Sequence, residues 1–432
     1  MSSILTNNGA MVALQTLKSI NKGLADTQQQ ISTGKRVASA KDNSAVWAIS
    51  KVMEADVKGF KGISDSLNLG QSTVSVARQA AETTTSLLTD IKGKIVAAQE
   101  ENVDRDKIQT DIDALRNQIA AVVGAAQFNG LNLLSNTEQT ADSGSINVLA
   151  SLDRSGTGVT ASDISVAKQD LGTGASSIGG ALTALGAAAN NIGGFGDAAA
   201  AALTGAASAP TGTTTLGTAA TDTVAAGTGF SIEISATAGN GPSNTTDRND
   251  IKYVARDGDT MADVAAGLAA QFNKYIKADL GADNVGTIDA TANGNEITFT
   301  GIDNGGDNFS VAVQEYAADA ATTIGGRLEE LSNIDVTTQA GADSAIEEIE
   351  GLIQTAIDSA SAFGSVQGRI ETQADFVSNL TDALKSGIGT LVDADMEEAS
   401  ARLQALQVQQ QLGVQALSIA NQAPQSLLSL FR

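Results

Sequence analysis

The sequence contains no cysteine and no histidine among its 432 residues. These two absences remove disulfide bonds, thiolate nucleophiles, the commonest metal ligand and the usual general base. Most kinds of active site and zinc site are therefore excluded, and we expect neither a cofactor nor a metal. The lack of cysteine also suits an exported protein, whose fold must not depend on the redox state of its surroundings.

Aromatic residues and proline are also scarce. Aromatic side chains make up 3% of the chain, and its three prolines are Pro210, Pro242 and Pro424. Because proline breaks a helix interior, its absence from most of both ends permits long uninterrupted helices there.

Positive charge is in deficit, with 26 basic against 49 acidic residues and a formal net charge of −23. Such a chain repels nucleic acid phosphates and anionic lipid surfaces, so we expect neither as a partner. The first nine residues lack the basic segment and apolar run of a cleavable signal peptide. No stretch approaches the length of a membrane-spanning helix. We therefore expect any export to use a route without a cleaved signal.

The N-terminal end carries a heptad pattern over residues 10–31, which predicts an amphipathic helix with a narrow apolar seam. Gly34 is expected to end this helix, and Asp42, Asn43 and Ser44 offer N-cap oxygens for the next one. The seam positions are Ala10, Ala13, Leu17, Ile20, Leu24, Thr27 and Ile31.

The second predicted helix keeps its register for eight heptads from Val46 to Ile95 and would be about 80 Å long. A polar break at 100–104 precedes a third helix over 108–126, which is short enough to fold back along the second. The pair Asn129-Gly130 is then a hairpin turn signal.

The C-terminal end mirrors this pattern. Residues 346–391 carry two apolar rows typical of a second long coiled-coil helix. A last helix presents the row Ala405, Val408, Leu412, Ala416 and Ile419. Pro424 is expected to stop that helix, leaving a short apolar tail that contains Leu427, Leu430 and Phe431.

The middle of the chain, residues 135–340, is rich in Gly, Ala, Thr, Ser and Asn. Short strand-like runs occur at 230–235, 251–255, 296–301 and 309–313, and residues 261–276 predict a helix among them. Residues 175–225 are so rich in small residues that we do not expect a packed core there.

These patterns predict a mainly α fold with a β-rich insert, in which N- and C-terminal helices co-pack into long coiled-coil rods and a central α+β domain projects outward. The predicted parts are an N-terminal assembly helix (1–43, inner, paired with the C-terminal helix), N-terminal rod helices and hairpin (44–134), the outer insert (135–340), a C-terminal rod helix (341–395) and a C-terminal assembly helix (396–432).

The segment 30–50, QISTGKRVASAKDNSAVWAIS, is similar to the flagellin signature L-S-T-G-x-R-I-x-S-A-x-D-D-A-A-G-L-A-I-S. FNGLNLL at 128–134, FGSVQGRIETQ at 363–373 and ALSIANQAPQSLLSLFR at 416–432 also resemble flagellin segments, in the order in which that family places them. The matching motif residues are Arg36, Lys41, Asp42, Asn129, Gly130 and Arg369.

Two departures from the signature occur. Asn43 replaces the second Asp, and Val46-Trp47 replaces Gly-Leu; because Trp47 adjoins a seam position, we interpret it as a packing substitution. Residues 228–316 resemble an insertion module found in some flagellins and hook-associated proteins.

The resemblance implies a non-enzymatic structural subunit of the bacterial flagellar filament, exported by the flagellar type III apparatus and located outside the cell. Its implied partners are other flagellin subunits, the flagellar cap and hook-associated proteins, and an export chaperone. Isolated amphipathic helices are marginal in water, so we expect both ends to order only on assembly.

The terminal seams would be adhesive if left uncovered, which indicates subunit contact, whereas the long heptad rows are better interpreted as the core of a helical bundle. The predicted self-assembly residues are Leu14, Leu17, Ile20, Leu24, Ile31, Val408, Leu412, Ile419, Leu427, Leu430 and Phe431.

The charged residues of the motifs leave two interpretations open. Lys35, Arg36 and Lys41 could pair with the acidic face of a neighbouring subunit or could belong to a solvated loop. Arg369 is a candidate for an intersubunit or an inter-helix pair.

Three other functions compete with that of a filament subunit. A hook–filament junction protein has related ends, although the signature at 30–50 and the LSLFR end favour the filament subunit. A coiled-coil signalling adaptor would explain the long helices but would normally carry a membrane span or an output domain. An enzyme within the insert is the third, and the absence of histidine excludes the HExxH protease type.

Overall fold

A computed structural model of the protein describes residues 7–155, 158–179, 201–203, 211–238, 248–280, 288–301 and 308–429. The chain is mainly helical with a strand-rich centre, as predicted. The helices are α1 Asn8–Thr33, α2 Ser44–Ala98, α3 Arg105–Ala125, α4 Met261–Leu280, α5 Gln339–Val392 and α6 Met396–Ser429, with a short 3-10 helix at Glu329–Ser332.

These elements form two compact units. The first, the terminal unit, comprises residues 1–66, 151–162 and 373–432. The second, the central unit, comprises residues 67–150 and 163–372, so that α2 and α5 contribute residues to both. The five-part division made from the sequence follows helix ends instead, and it stays a prediction.

Polar side chains cap the N-termini of α2 and α3, and a glycine ends α1. At the start of α2, Asn43 Oδ1 accepts a hydrogen bond from the backbone N–H of Val46 at 3.2 Å. Asn43, which replaces the second Asp of the signature, therefore still caps the helix. Asp104 caps α3 through the N–H of Lys107 at 3.2 Å. Gly34 ends α1 with a φ of 68°, a left-handed conformation that glycine adopts without strain.

The turn predicted at Asn129-Gly130 joins the strands β1 Gln127–Phe128 and β2 Leu131–Asn132 in an antiparallel hairpin. Both turn residues have positive φ, 52° for Asn129 and 80° for Gly130. A two-residue loop of this kind matches the right-handed twist of the strands it joins, which confirms the turn prediction.

The central unit holds two further sheets. The four-stranded sheet has the order β5-β11-β7-β8, and the three-stranded sheet has the order β6-β10-β9. Their strands are β5 Ala201–Leu203, β6 Thr211–Thr215, β7 Gly229–Ala238, β8 Lys252–Val254, β9 Asp289–Asn293, β10 Glu296–Thr300 and β11 Asn308–Tyr316. Four of these strands, together with α4, confirm the strand and helix predictions made for this region.

The two sheets and α4 share one apolar core. Phe272 of α4 meets Phe299 of β10 edge to face, with ring centroids 5.0 Å apart. The same core contains Leu216 and Val224, and Ile178 is buried in a neighbouring cluster. The expectation that residues 175–225 lack a packed core is therefore wrong for the described part of that segment, because its few large apolar side chains pack against the sheets.

The hairpin of β3 Ser145–Ser155 and β4 Gly158–Ala167 was not predicted. Its polar residues alternate with Val148, Ala150, Ile164 and Val166, which are buried. Gly70 of α2 lies so close to this hairpin that a Cβ there would be 2.6 Å from Val148 Cγ1.

Within the central unit, α2 and α5 run antiparallel. Gln71 Nε2 donates to Glu371 Oε1 at 3.0 Å, and Arg78 Nε donates to Gln367 Oε1 at 2.9 Å. The predicted bundle core is buried on both helices at Leu67, Val74, Ala81, Leu88 and Ile95, and at Ile349, Ala356, Phe363 and Ile370. None of the helices in the described part of the chain combines the length and the apolar character needed to cross a membrane.

Candidate assembly site: the terminal helical pair

Within the terminal unit, α1 and α6 form an antiparallel pair. Gln410 Nε2 of α6 donates to Asn21 Oδ1 of α1 at 2.8 Å. Small residues bring the two backbones close, since a Cβ at Gly413 would lie 3.2 Å from Leu17 Cδ1 and a Cβ at Gly23 would lie 3.6 Å from Leu406. Each of these two glycines thus leaves room for a leucine of the other helix.

On α1, the seam predicted from the heptads is the face that is covered. Leu17, Ile20, Leu24 and Ile31 are half-buried, and Thr27 is the helix's one fully buried residue. Leu14 lies beside this seam and is 43% exposed. Four of the five predicted N-terminal assembly residues are thus half-buried within the chain itself.

On α6, the apolar row singled out from the sequence points away from α1. Val408, Leu412 and Ile419 are 56%, 57% and 68% exposed. The half-buried row is Leu403, Leu406, Gln410, Gly413, Leu417 and Ala420. At 100° per residue the centres of the two rows are roughly 150° apart, so α6 has an inner row facing α1 and an outer row.

Both rows of α6 repeat with heptad spacing, and only the outer row was predicted from the sequence. The inner row contains a polar residue, Gln410, and a small one, Gly413, so its apolar periodicity is incomplete and was not recognised in the sequence. The signal that could have revealed it is the pair of glycines, Gly23 and Gly413, at positions where close helix packing requires small residues.

The C-terminal tail was partly mispredicted. Helix α6 continues through Pro424 to Ser429 and does not stop at the proline. The carbonyl that loses its helical donor at Pro424 belongs to Ala420, and it accepts a hydrogen bond from Asn7 Nδ2 at 2.8 Å. Leu427 therefore belongs to α6, whereas Leu430 and Phe431 lie outside the described residues.

The loops that follow α1 and α5 are joined by backbone hydrogen bonds. Arg36 N donates to Val392 O at 2.7 Å, and Ala394 N donates to Gly34 O at 3.0 Å. The guanidinium Nη2 of Arg36 donates to Leu391 O at 2.9 Å, at the C-terminus of α5, where a cation is favoured. Arg36 thus links the loop after α1 to the C-terminal end of α5.

Asp42 organises the turn before α2. Its Oδ2 accepts from the backbone N–H groups of Ser39 at 2.9 Å and Ala38 at 3.1 Å, and from the Ser39 hydroxyl. These bonds, chiefly that of the Ser39 N–H, lower the pKa of Asp42, and the charge of Lys41 acts in the same direction. Asp42 therefore serves the turn and leaves the N-cap of α2 to Asn43.

The three basic residues of the signature, Lys35, Arg36 and Lys41, have different surroundings. Lys35 Nζ lies 3.7 Å from Glu54 Oε1, and Arg36 bonds within its own unit, while Lys41 is exposed. Arg369 is exposed on α5, and the α2–α5 contacts nearby are made by Gln367 and Glu371. An intersubunit role for Lys41 and Arg369 stays a prediction.

The described residues contain no group of three or more His, Cys, Asp or Glu side chains placed to hold a metal ion. Helical ends that pair with each other, together with an exposed apolar row along the last helix, are typical of a structural subunit.

Comparison with known proteins specifies that class. The chain matches the bacterial flagellin N-terminal helical region over residues 4–139 and the bacterial flagellin C-terminal helical region over residues 346–431. It is 35% identical to flagellin A of Rhizobium meliloti over 438 residues and 30% identical to a flagellin of Brucella melitensis biotype 1 over 433 residues, each covering 100% of both chains. The chain therefore belongs to the flagellin family, the structural subunits of the bacterial flagellar filament.

Solved structures resemble it more distantly. FliC of Burkholderia pseudomallei shares 14% identity and a TM-score of 0.30, covering 69% of this chain and 99% of that one. FlgL of Xanthomonas campestris shares 11% identity and a TM-score of 0.32, covering 78% of this chain and 98% of that one. The full-length flagellin relatives favour the filament subunit over a junction protein or a signalling adaptor.

Proposed function

We propose that the outer row of α6, formed by Val408, Leu412 and Ile419, is the surface through which each subunit joins its neighbours in the filament. The observation that carries this proposal is the exposure of three large apolar side chains, each more than half exposed, in one stripe on a terminal helix. Burying one such side chain against a second subunit contributes about 1.5–3 kcal/mol. Repetition along a polymer makes that contribution large.

The predicted N-terminal residues then have a supporting role. Leu17, Ile20, Leu24 and Ile31 hold α1 against α6 and so present α6 to the next subunit. Leu14, exposed beside the seam, extends the contact surface. The assembly role predicted from the sequence for Leu427, Leu430 and Phe431 stays a prediction. Ends held by half-buried side chains depend on neighbours for much of their stability.

The proposed export route and partners come from the family resemblance, and the outer row supports one of them. An adhesive row along α6 must be covered before assembly, which supports an export chaperone that binds the C-terminal helix. The chain would pass through the flagellar type III apparatus and assemble under the flagellar cap beyond the hook-associated proteins. Inactivation of that apparatus should remove the protein from the culture medium.

The subunit would have a structural and no catalytic role. Without histidine or cysteine, the chain lacks the side chains that most often act as general base or nucleophile near neutral pH. Its location would be the filament outside the cell.

The test is a charge placed in the outer row. Leu412→Asp and Ile419→Asp would each bury a carboxylate in the intersubunit contact, where its desolvation opposes assembly. Gln411→Asp introduces the same charge at an exposed neighbour that lies off the stripe and serves as the matched control. We expect seeded polymerisation, followed by sedimentation and electron microscopy, to fail for the first two variants only.

The central unit provides an internal check on folding. Its thermal unfolding in the monomer should be unchanged in all three variants, because none of them alters its residues. Normal filaments from Leu412→Asp and Ile419→Asp would refute the proposed surface.

A further inference from the structure

Asn7 contacts both terminal helices through one amide group. Its Oδ1 accepts from the backbone N–H of Ala10 at 3.0 Å, which caps α1. Its Nδ2 donates to the backbone carbonyl of Ala420 in α6 at 2.8 Å. Because the oxygen and the nitrogen have different partners, only one orientation of the amide satisfies both.

The carbonyl that Asn7 reaches is one that α6 cannot satisfy in the usual way. In an α-helix the carbonyl of residue i accepts from the N–H of residue i+4. For Ala420 that residue is Pro424, which has no N–H. Since α6 continues through this position, the carbonyl of Ala420 is available to accept a hydrogen bond from a donor outside α6.

The apolar seam alone defines the register of the pair poorly. Its positions on α1 repeat every seven residues, so that a slip of one heptad, about 10 Å, would again oppose apolar residues. A polar contact at a fixed position removes this degeneracy, because the slipped pair would leave the polar group without its partner. Asn7 supplies such a contact near one end of the pair through a partly buried hydrogen bond, whereas the Asn21–Gln410 bond is exposed and exchanges readily with water.

We propose that Asn7 is a positioning residue that sets the axial register of α1 against α6 by hydrogen bonding to the carbonyl that Pro424 leaves free. The register decides where the outer row of α6 stands relative to the exposed residues of α1, and hence what surface the next subunit meets. This inference deepens the proposed function and rests on the terminal pair being the assembling part.

The test measures register directly. Because the chain has no cysteine, Lys18→Cys on α1 and Ser418→Cys on α6, both exposed and the latter off the outer row, accept one spin label each. The distance between the labels is measured in filaments grown with an excess of unlabelled wild-type chain. Asn7→Asp keeps the capping oxygen and removes the donor, and Asn8→Asp makes the same change of charge at the next, exposed residue.

We expect Asn7→Asp to broaden the distance distribution or split it by up to a heptad, and to lower the depolymerisation temperature of the filament by several degrees. Asn8→Asp should resemble the wild type in both measurements. An unchanged distance distribution in Asn7→Asp would overturn the proposal.

Pro424→Ala provides the second arm, because residue 424 would then donate its own N–H to Ala420. In that background Asn7→Asp should lower the depolymerisation temperature much less. An equal loss in both backgrounds would show that Asn7 acts only as a cap or through its charge, and would overturn the proposal. Normal filaments from Leu412→Asp would refute the assembly surface instead, so the two failures are distinguishable.

Discussion

The terminal helical pair and the sheet core of the central unit are built in opposite ways. In α1 the only fully buried residue is Thr27, and in the described part of α6 it is Ala399. The central core buries Phe230, Phe272, Phe299 and Phe309 completely. A helix pair with so little buried surface is marginal in water, whereas four enclosed aromatic side chains contribute several kcal/mol each. From this difference we expect the central unit to be stable on its own and the terminal pair to depend on neighbouring subunits.

The most direct test of this difference in stability is limited proteolysis of verified monomer. We expect rapid trimming of roughly the first 40 and last 35 residues and slow cleavage of the central unit, because the terminal pair opens at little cost without neighbours. Assembled filaments should protect both ends. Equal resistance of ends and centre in the monomer would contradict the comparison.

The next largest effect concerns the two kinds of core. Phe299→Ala should destabilise the central unit by about 3–5 kcal/mol, since it removes a fully buried ring that packs on Phe272. The measurement is thermal unfolding of the monomer by circular dichroism.

Leu17→Ala is the counterpart in the terminal seam. It should leave that monomer transition in place and lower the depolymerisation temperature of filaments, because Leu17 packs against Gly413 only in the α1–α6 pair. A lower monomer transition in Leu17→Ala would show that the pair and the centre unfold together.

The same contrast explains which features could be predicted from the sequence. Heptad repeats located α1, α2, α3, α5 and α6, and the turn residues Asn129 and Gly130 located a hairpin, because these signals are local. Leu216 and Ile178 are buried by residues that are distant in the sequence, so no local pattern predicts their burial.

The assembly site shows the limit most clearly. Heptad spacing fits both rows of α6, and only the position of α1 decides which row is covered. The donor that bonds to the Ala420 carbonyl at the Pro424 position is likewise distant in the sequence, because Asn7 lies 413 residues from Ala420.

A smaller effect separates packed from open positions along α2. Gly93 faces open space, so Gly93→Ala should stabilise the helix by about 0.5–1 kcal/mol through helix propensity alone. Gly70→Ala should destabilise the central unit by about 1–3 kcal/mol, because the added methyl group would overlap the stiff side chain of Val148. The midpoints of chemical denaturation of the two variants should therefore shift in opposite directions relative to the wild type. A higher midpoint for Gly70→Ala would refute the close packing of the β3–β4 hairpin on α2.

The smallest predicted effect depends on pH and concerns the central unit. Glu315 is half-buried on β11, and burial raises the pKa of its carboxyl group to about 7. The folded state therefore binds this proton more tightly than the unfolded state, so the contribution of Glu315 to stability improves as the pH falls from above 7 toward the usual glutamate pKa of 4.5. Glu315→Gln removes the charge and should raise the unfolding temperature of the central unit at pH 8, with a smaller gain at pH 5.

Glu296→Gln is the matched control, because it removes the same charge from an exposed position on the neighbouring sheet strand β10. Its effect on the unfolding temperature should be small and nearly the same at both pH values. Neither substitution alters the terminal helices, so the depolymerisation temperature of filaments should equal that of the wild type. If the gain from Glu315→Gln were equal at pH 5 and pH 8, the carboxyl group would titrate in the folded protein as it does in the unfolded chain, and its burial on β11 would have no energetic consequence.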